Sequence, residues 1–207
     1  LGSLPEVLRL LEQGGADYLH FDVEDGVFTP VMTLGTKIIR DLRPLTRLPF
    51  DVHLMMVNPE WILPELIEAG AERIAVHLEA CPYPRRTLRK IVELGAKAGL
   101  ALNPITPVPE LGYLQPFLSY VILLTTEPEH GDCPYLPEVL EKLRQAKNRA
   151  TGLEWVVDGG VTAENIGEVA RAGAETVVAG RGIFAGGAIL ENLRRLRSPG
   201  QARPSRG

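Results

Sequence analysis

Short runs of apolar and β-branched residues recur along this chain, each separated from the next by a stretch with the three-to-four-residue periodicity of an amphipathic helix. The runs are Tyr18–Val23, Phe50–Met55, Ile74–Leu78, Leu100–Leu102, Tyr120–Leu124, Trp155–Val157 and Thr176–Val178. Helical patterns cover Leu4–Gln13, Thr36–Leu42, Trp61–Ala69, Arg85–Ala98, a short piece at Pro109–Phe117, Leu136–Ala150, Glu164–Ala172 and Ala188–Arg197. Strand and helix alternating at this spacing predict βαβ units and a parallel sheet. The strand runs are mostly apolar on both faces, as expected where helices cover a sheet.

Three helix ends share one phrase: GGAD before Tyr18, and AGAE before Arg73 and again before Thr176. Each supplies a helix stop and a tight turn in which glycine takes the left-handed conformation. The recurrence predicts a repeated (βα) unit closing on itself, an α/β protein of the (βα)8 TIM-barrel class. Because the chain opens on a helix and shows seven strands, the barrel is expected to lack its first strand here. Residues 1–197 read as a single barrel domain, and the Pro-, Gly- and Arg-rich residues 198–207 as a disordered tail.

Composition narrows the partners. A formal net charge of -4 gives no global attraction to nucleic acid or an anionic membrane, so any phosphate recognition must be local. No apolar run approaches the ~20 residues of a membrane span, and the opening LGSLPEVLRLL lacks the basic region and cleavage site of a signal peptide. A cytoplasmic protein is therefore expected, bound to neither nucleic acid nor membrane. Cys81 and Cys133, far apart and not in a CxxC pair, indicate no disulfide framework and no thiolate zinc site.

The chemistry-bearing residues cluster at strand ends. His20 and Asp22 lie in YLHFDVEDG, His53 in PFDVHLMM and Asp158 in LEWVVDGG. Residues two apart on a strand face the same way, so His20 and Asp22 project together. In a (βα) barrel, catalytic groups sit at the C-terminal ends of strands, where all four fall. Imidazole with carboxylate suits one divalent ion of zinc, iron(II), manganese or cobalt better than magnesium or calcium. Such an ion beside two carboxylates is suited to proton abstraction next to a carbonyl, since it stabilises enediolate charge while the carboxylates move the proton. Carboxylates on opposite faces of the substrate would invert the carbon. Taken singly, each residue reads better as a structural histidine or a turn aspartate; together they favour a site. His77 and Glu79 in VHLEA form a second same-face pair with weaker support, and His130 in EPEHGDCP reads as exposed.

A second theme is phosphate. VVDGGVTAENI sets Gly159 and Gly160 before a helix whose start is marked by Thr162, and VVAGRGIF does the same with Gly180, Arg181 and Gly182. Glycine turns at helix N-termini offer backbone N–H groups to an anion, and the last two loops of a barrel are its usual phosphate site.

HFDVEDGVFTP, DVHLM, HLEACP, LNPITP, VDGGVTAENI and AGAETVVAGRGIF together resemble the ribulose-phosphate 3-epimerase family, over Leu4 to Arg197. The resemblance implies a (βα)8 barrel that interconverts ribulose 5-phosphate and xylulose 5-phosphate at C3, and a homo-oligomer. It implies His20, Asp22, His53 and Asp158 as metal ligands, with Asp22 and Asp158 as the acid/base pair. Gly159, Gly160, Gly180 and residue 181 fall where the family binds the phosphate of its phosphorylated ketose; Met55 and Glu24 complete the expected substrate-lining set. The chain departs from the family pattern at four places, the first being that the family's first strand, with a substrate-contacting serine, has no counterpart here. Glu24 stands where a methionine is usual, EPEHGDC replaces a glycine-rich lid, and Arg181 replaces a serine. These departures keep two alternatives open: 3-epimerisation of a six-carbon ketose phosphate, or a silent paralogue that binds sugar phosphate without turnover.

Overall fold

In a computed structural model that describes residues 4–33, 35–128 and 133–197, the apolar runs form seven parallel strands: β1 Leu19–Glu24, β2 Phe50–Met55, β3 Ala71–His77, β4 Lys97–Leu102, β5 Leu118–Leu124, β6 Glu154–Asp158 and β7 Thr176–Val178. They pair in sequence order, and β1 does not pair with β7. The sheet is strongly curled. Five spacings in a flat sheet would set β1 and β6 ~24 Å apart, yet His20 and Asp158 approach to 3.6 Å. This is the (βα)-barrel architecture expected, with seven strands among the described residues.

Helices α1 Leu4–Gln13, α2 Thr36–Leu42, α3 Leu63–Glu68, α4 Pro84–Glu93, α5 Val139–Lys147, α6 Ile166–Ala172, α7 Gly180–Phe184 and α8 Ile189–Arg197 accompany the sheet. The outer strand faces, among them Phe50, Val52, Leu54, Ile74, Leu100, Val121 and Trp155, share one apolar core with residues of these helices such as Leu8, Leu88, Leu140 and Leu193. At β1, the helix ends meet: the Arg197 guanidinium at the end of α8 bonds Asp17 at 2.7 Å, just before the strand. No helix among the described residues is long and apolar enough to cross a membrane.

The repeated glycine phrases behave as read, with Gly15, Gly70 and Gly173 at φ of 77°, 99° and 108°. Several boundaries move. The pattern at Arg85–Ala98 ends as helix at Glu93, because Gly95 turns the chain at φ 100° and Lys97 already pairs in β4. Pro109–Phe117 forms turns rather than a helix, and its bonds to the Leu111 and Leu114 carbonyls do not propagate. Trp61–Ala69 splits into a short 3-10 turn, Pro59–Trp61, and α3, with Pro64 in the first turn, where a missing N–H costs nothing. The pattern after β6 becomes helical only at Ile166, past a turn in which Thr162 N–H donates to Asn165 Oδ1. The tail and His130 lie outside the described residues.

The inner face of the sheet is more polar than the strand composition suggests. Ala75, Ala101, Tyr120, Ile122, Leu124 and Val156 form a small second apolar cluster, and an ionic network adjoins the strand-end cluster described below through Asp51. Asp51 accepts hydrogen bonds from Tyr120 Oη at 2.7 Å and Arg73 Nε at 3.3 Å, and Arg73 Nη1 reaches Glu154 Oε2 at 2.8 Å. Gly99 makes room for Tyr120: a Cβ there would clash with its ring.

Candidate active site

The curl of the sheet brings His20 and Asp22 of β1, His53 of β2 and Asp158 of β6 together, one donor atom from each lying within 4.8 Å of the others. His20 Nε2 stands 3.4 Å from Asp22 Oδ1 and 3.6 Å from Asp158 Oδ2. His53 Nδ1 stands 3.4 Å from each of the same two oxygens. Both nitrogens are buried and neither makes a hydrogen bond. Ligands bonded at ~2.0–2.2 Å to a four-coordinate ion stand about 3.3–3.6 Å apart, so the residues present fit a divalent cation. Their nitrogen and oxygen donors match the ion types expected from the sequence.

The ring of His20 is held from behind. Its Nδ1 donates to Asp51 Oδ2 at 2.8 Å, which leaves Nε2 with the lone pair that faces the cluster. Asp51 was not singled out from the sequence. The alternation that pairs His20 with Asp22 also puts Asp51 on the same face as His53, and that signal was available. His77 and Glu79 do not enter the cluster; His77 is fully buried behind His53 and Glu79 lies behind His77.

Charges reinforce one another here. Burial opposes a charge on His20, but Asp158, Asp22 and Asp51 outweigh it and raise its pKa well above the ordinary value. Burial likewise opposes a charge on His53, yet Asp158 and Asp22 push it up to about 9. Desolvation works against ionised Asp22 and Asp158, and the two imidazoles nevertheless hold both carboxyls below the usual range. Without an ion, protons on the histidines take the place of the cation between the two carboxylates.

Asp22 and Asp158 border a cavity of roughly 730 Å³ whose wall also includes Gly159, Gly160, Gly180 and Arg181. Gly159 and Gly160 hold φ of 105° and 66°, which turns the backbone sharply beneath the cavity. Gly180 and Arg181 open α7, a five-residue helix at the VVAGRGIF turn, where the sequence sets glycines at a helix start. Glu24 and Met55 are register partners at the ends of β1 and β2, and neither is part of this cavity wall. Burial, then the charge of Asp22, raises the Glu24 pKa. A further anchor comes from Asp25, unremarked in the sequence. Its carboxylate accepts the N–H groups of Val27, Phe28 and Val57, each at 2.8 Å, and so ties the loop after β1 to the end of β2.

Known proteins supply the remaining observation. The sequence pattern of the ribulose-phosphate 3 epimerase family matches residues 2–184. A ribulose-phosphate 3-epimerase of Synechocystis sp. is 42% identical over 187 residues, covering 87% of this chain and 81% of the relative. One of Bacillus subtilis is 41% identical, covering 88% and 86%. Among solved structures, the tryptophan synthase α-subunit of Pyrococcus furiosus superposes with a TM-score of 0.70 over 95% of this chain and 92% of that one. At 17% identity it speaks for the barrel fold alone. The chain belongs to the ribulose-phosphate 3-epimerase family, a family of carbohydrate isomerases.

Proposed function

We propose that this protein is a metal-dependent ketose-phosphate 3-epimerase that interconverts D-ribulose 5-phosphate and D-xylulose 5-phosphate. The observation that carries the reading is the four-residue cluster, in which two buried imidazole nitrogens without hydrogen bonds face two carboxylates. His20, Asp22, His53 and Asp158 would hold one divalent ion. When bound, that ion supplies positive charge beside the oxygen on which enediolate charge develops.

The protein's own groups perform the proton transfers. Asp22 and Asp158 each turn one oxygen into the cluster, Oδ1 and Oδ2 respectively, which leaves the other oxygen of each to exchange a proton. One carboxylate removes the C3 proton, and the electron pair moves into the C2 carbonyl to give the enediolate. The other returns a proton to the opposite face, and C3 is inverted. Gly159, Gly160, Gly180 and Arg181 border the same cavity as the two aspartates, and in this reading they receive the substrate phosphate through backbone N–H groups and the guanidinium. Glu24 and Met55 would then flank the sugar from the β1–β2 side.

The test is incubation of the metal-loaded protein with ribulose 5-phosphate in heavy water, followed by proton NMR. Deuterium entering at C3 as xylulose 5-phosphate forms is the expected result. Absence of exchange in folded, metal-loaded protein would overturn the proposed substrate.

A further inference from the structure

His53 is backed by a chain of polar groups that ends on a distant loop. Its Nε2, on the edge away from Asp22 and Asp158, lies 2.9 Å from Nε2 of His77. The two ring planes are within 17° of parallel, with centroids 4.9 Å apart. An imidazole pair in this arrangement needs one N–H donor and one bare nitrogen. The choice is made one step further back. His77 Nδ1 is 3.1 Å from Glu79 Oε2, and an ionised carboxylate only accepts, so the proton of His77 sits on Nδ1. His77 has no exposed surface and the ring of Phe28 lies at 4.6 Å, so burial opposes a second proton on it. Its Nε2 is therefore the acceptor, and His53 Nε2 must donate. Neutral His53 then presents Nδ1 as a bare lone pair, and Nδ1 is the atom that faces both aspartates at 3.4 Å.

Glu79 is itself fixed. Its Oε1 accepts the backbone N–H of Asn103 at 2.8 Å and the hydroxyl of Thr106. The loop carrying these donors is clamped by the Lys142 ammonium, which bonds the carbonyls of Asn103, Pro104 and Thr106 at 2.9, 3.2 and 2.9 Å. We infer that Glu79 and His77 are positioning residues: they form a relay that fixes the tautomer of His53 and so aims Nδ1 at a divalent cation. The inference rests on reading the four-residue cluster as a metal site.

Two measurements test it. In the metal-free, 15N-labelled protein, imidazole nitrogen shifts should report His77 as a neutral ring protonated at Nδ1. Cobalt(II) affinity, from competition with a chelator, should then be compared among Glu79→Gln, His77→Leu, His77→Gln and the unaltered protein. Glu79→Gln keeps the shape but brings an N–H₂ donor among three groups that already donate. His77→Leu removes the acceptor for His53. Each should weaken cobalt binding by on the order of tenfold to a hundredfold. His77→Gln, whose amide oxygen can accept from His53, should bind close to the unaltered protein, a rescue that a merely space-filling role would not give. His77 protonated at Nε2 or on both nitrogens would overturn the relay. So would undiminished cobalt binding by Glu79→Gln and His77→Leu. Failure of the unaltered protein to bind cobalt, with His77 found protonated at Nδ1, would instead overturn the metal reading and with it the purpose assigned to the relay.

Discussion

Replacing Arg73 by methionine is the sharpest probe of the barrel interior. Arg73 is 2% exposed, and its guanidinium bonds Asp51 at 3.3 Å and Glu154 at 2.8 Å. It also lies 4.4 Å and 4.0 Å from the ring centroids of Tyr18 and Tyr120. Methionine keeps much of the aliphatic volume but leaves two carboxylates without their shared cation. Deleting one partner of a buried ion pair costs roughly 3–5 kcal/mol. At this chain length each kcal/mol lowers Tm by roughly 2–4 °C, so the midpoint should fall by about 6–20 °C. The carboxylates differ in what remains to them. Asp51 keeps the hydrogen bonds from His20 and Tyr120. Glu154 keeps only Thr176, at 2.6 Å, and has partial access to solvent. The loss should therefore lie toward the lower end, and Arg73→Met with Glu154→Gln should recover part of it by removing the second unpaired charge. Thermal melts of the metal-free proteins at pH 7 measure both effects. A single variant melting within about 2 °C of the unaltered protein would refute the argument that Arg73 compensates two otherwise unpaired carboxylates.

Three other outcomes follow from the same geometry. The His53 pKa is raised from 6.5 to about 9, so its contribution to the metal-free protein is complete below pH 6.5 and disappears as pH rises through about 9. A shift of about 2.5 units is about 3 kcal/mol; a Tm of metal-free protein that does not fall between pH 7 and 9.5 would contradict it. Gly99→Ala drives a methyl into the buried ring of Tyr120 and should cost roughly 1–3 kcal/mol, read as a lowered denaturant midpoint; an unchanged midpoint would show that the ring can retreat. Asp22→Asn and Asp158→Asn should each reduce epimerase turnover by on the order of a hundredfold or more. Near-normal turnover in either variant would remove that residue from the acid/base pair.

Much of this architecture could be read directly from the chain. Period-two alternation placed His20 beside Asp22, and glycine phrases marked three helix-to-strand turns that indeed hold positive φ. Alternating strand and helix patterns led to the barrel class. The errors lay where local pattern is degenerate. Helix periodicity in Arg85–Ala98 ran on into residues that pair as β4, since KAGL suits either state until a neighbouring strand supplies hydrogen bonds.

The ion network and the His53 relay were beyond the sequence for a different reason. A strand covered on both sides carries apolar residues on both faces, so Arg73 in AGAERIAV gives no sign that it points inward. Its partners, Asp51 and Glu154, are 22 and 81 residues away. The sequence by itself determined which residue types stand at the strand ends and which way each strand alternates. Only the tertiary structure decided who meets whom, because curling the sheet brings β1 and β6 into contact across the interior and thereby turns separate strand ends into one cluster.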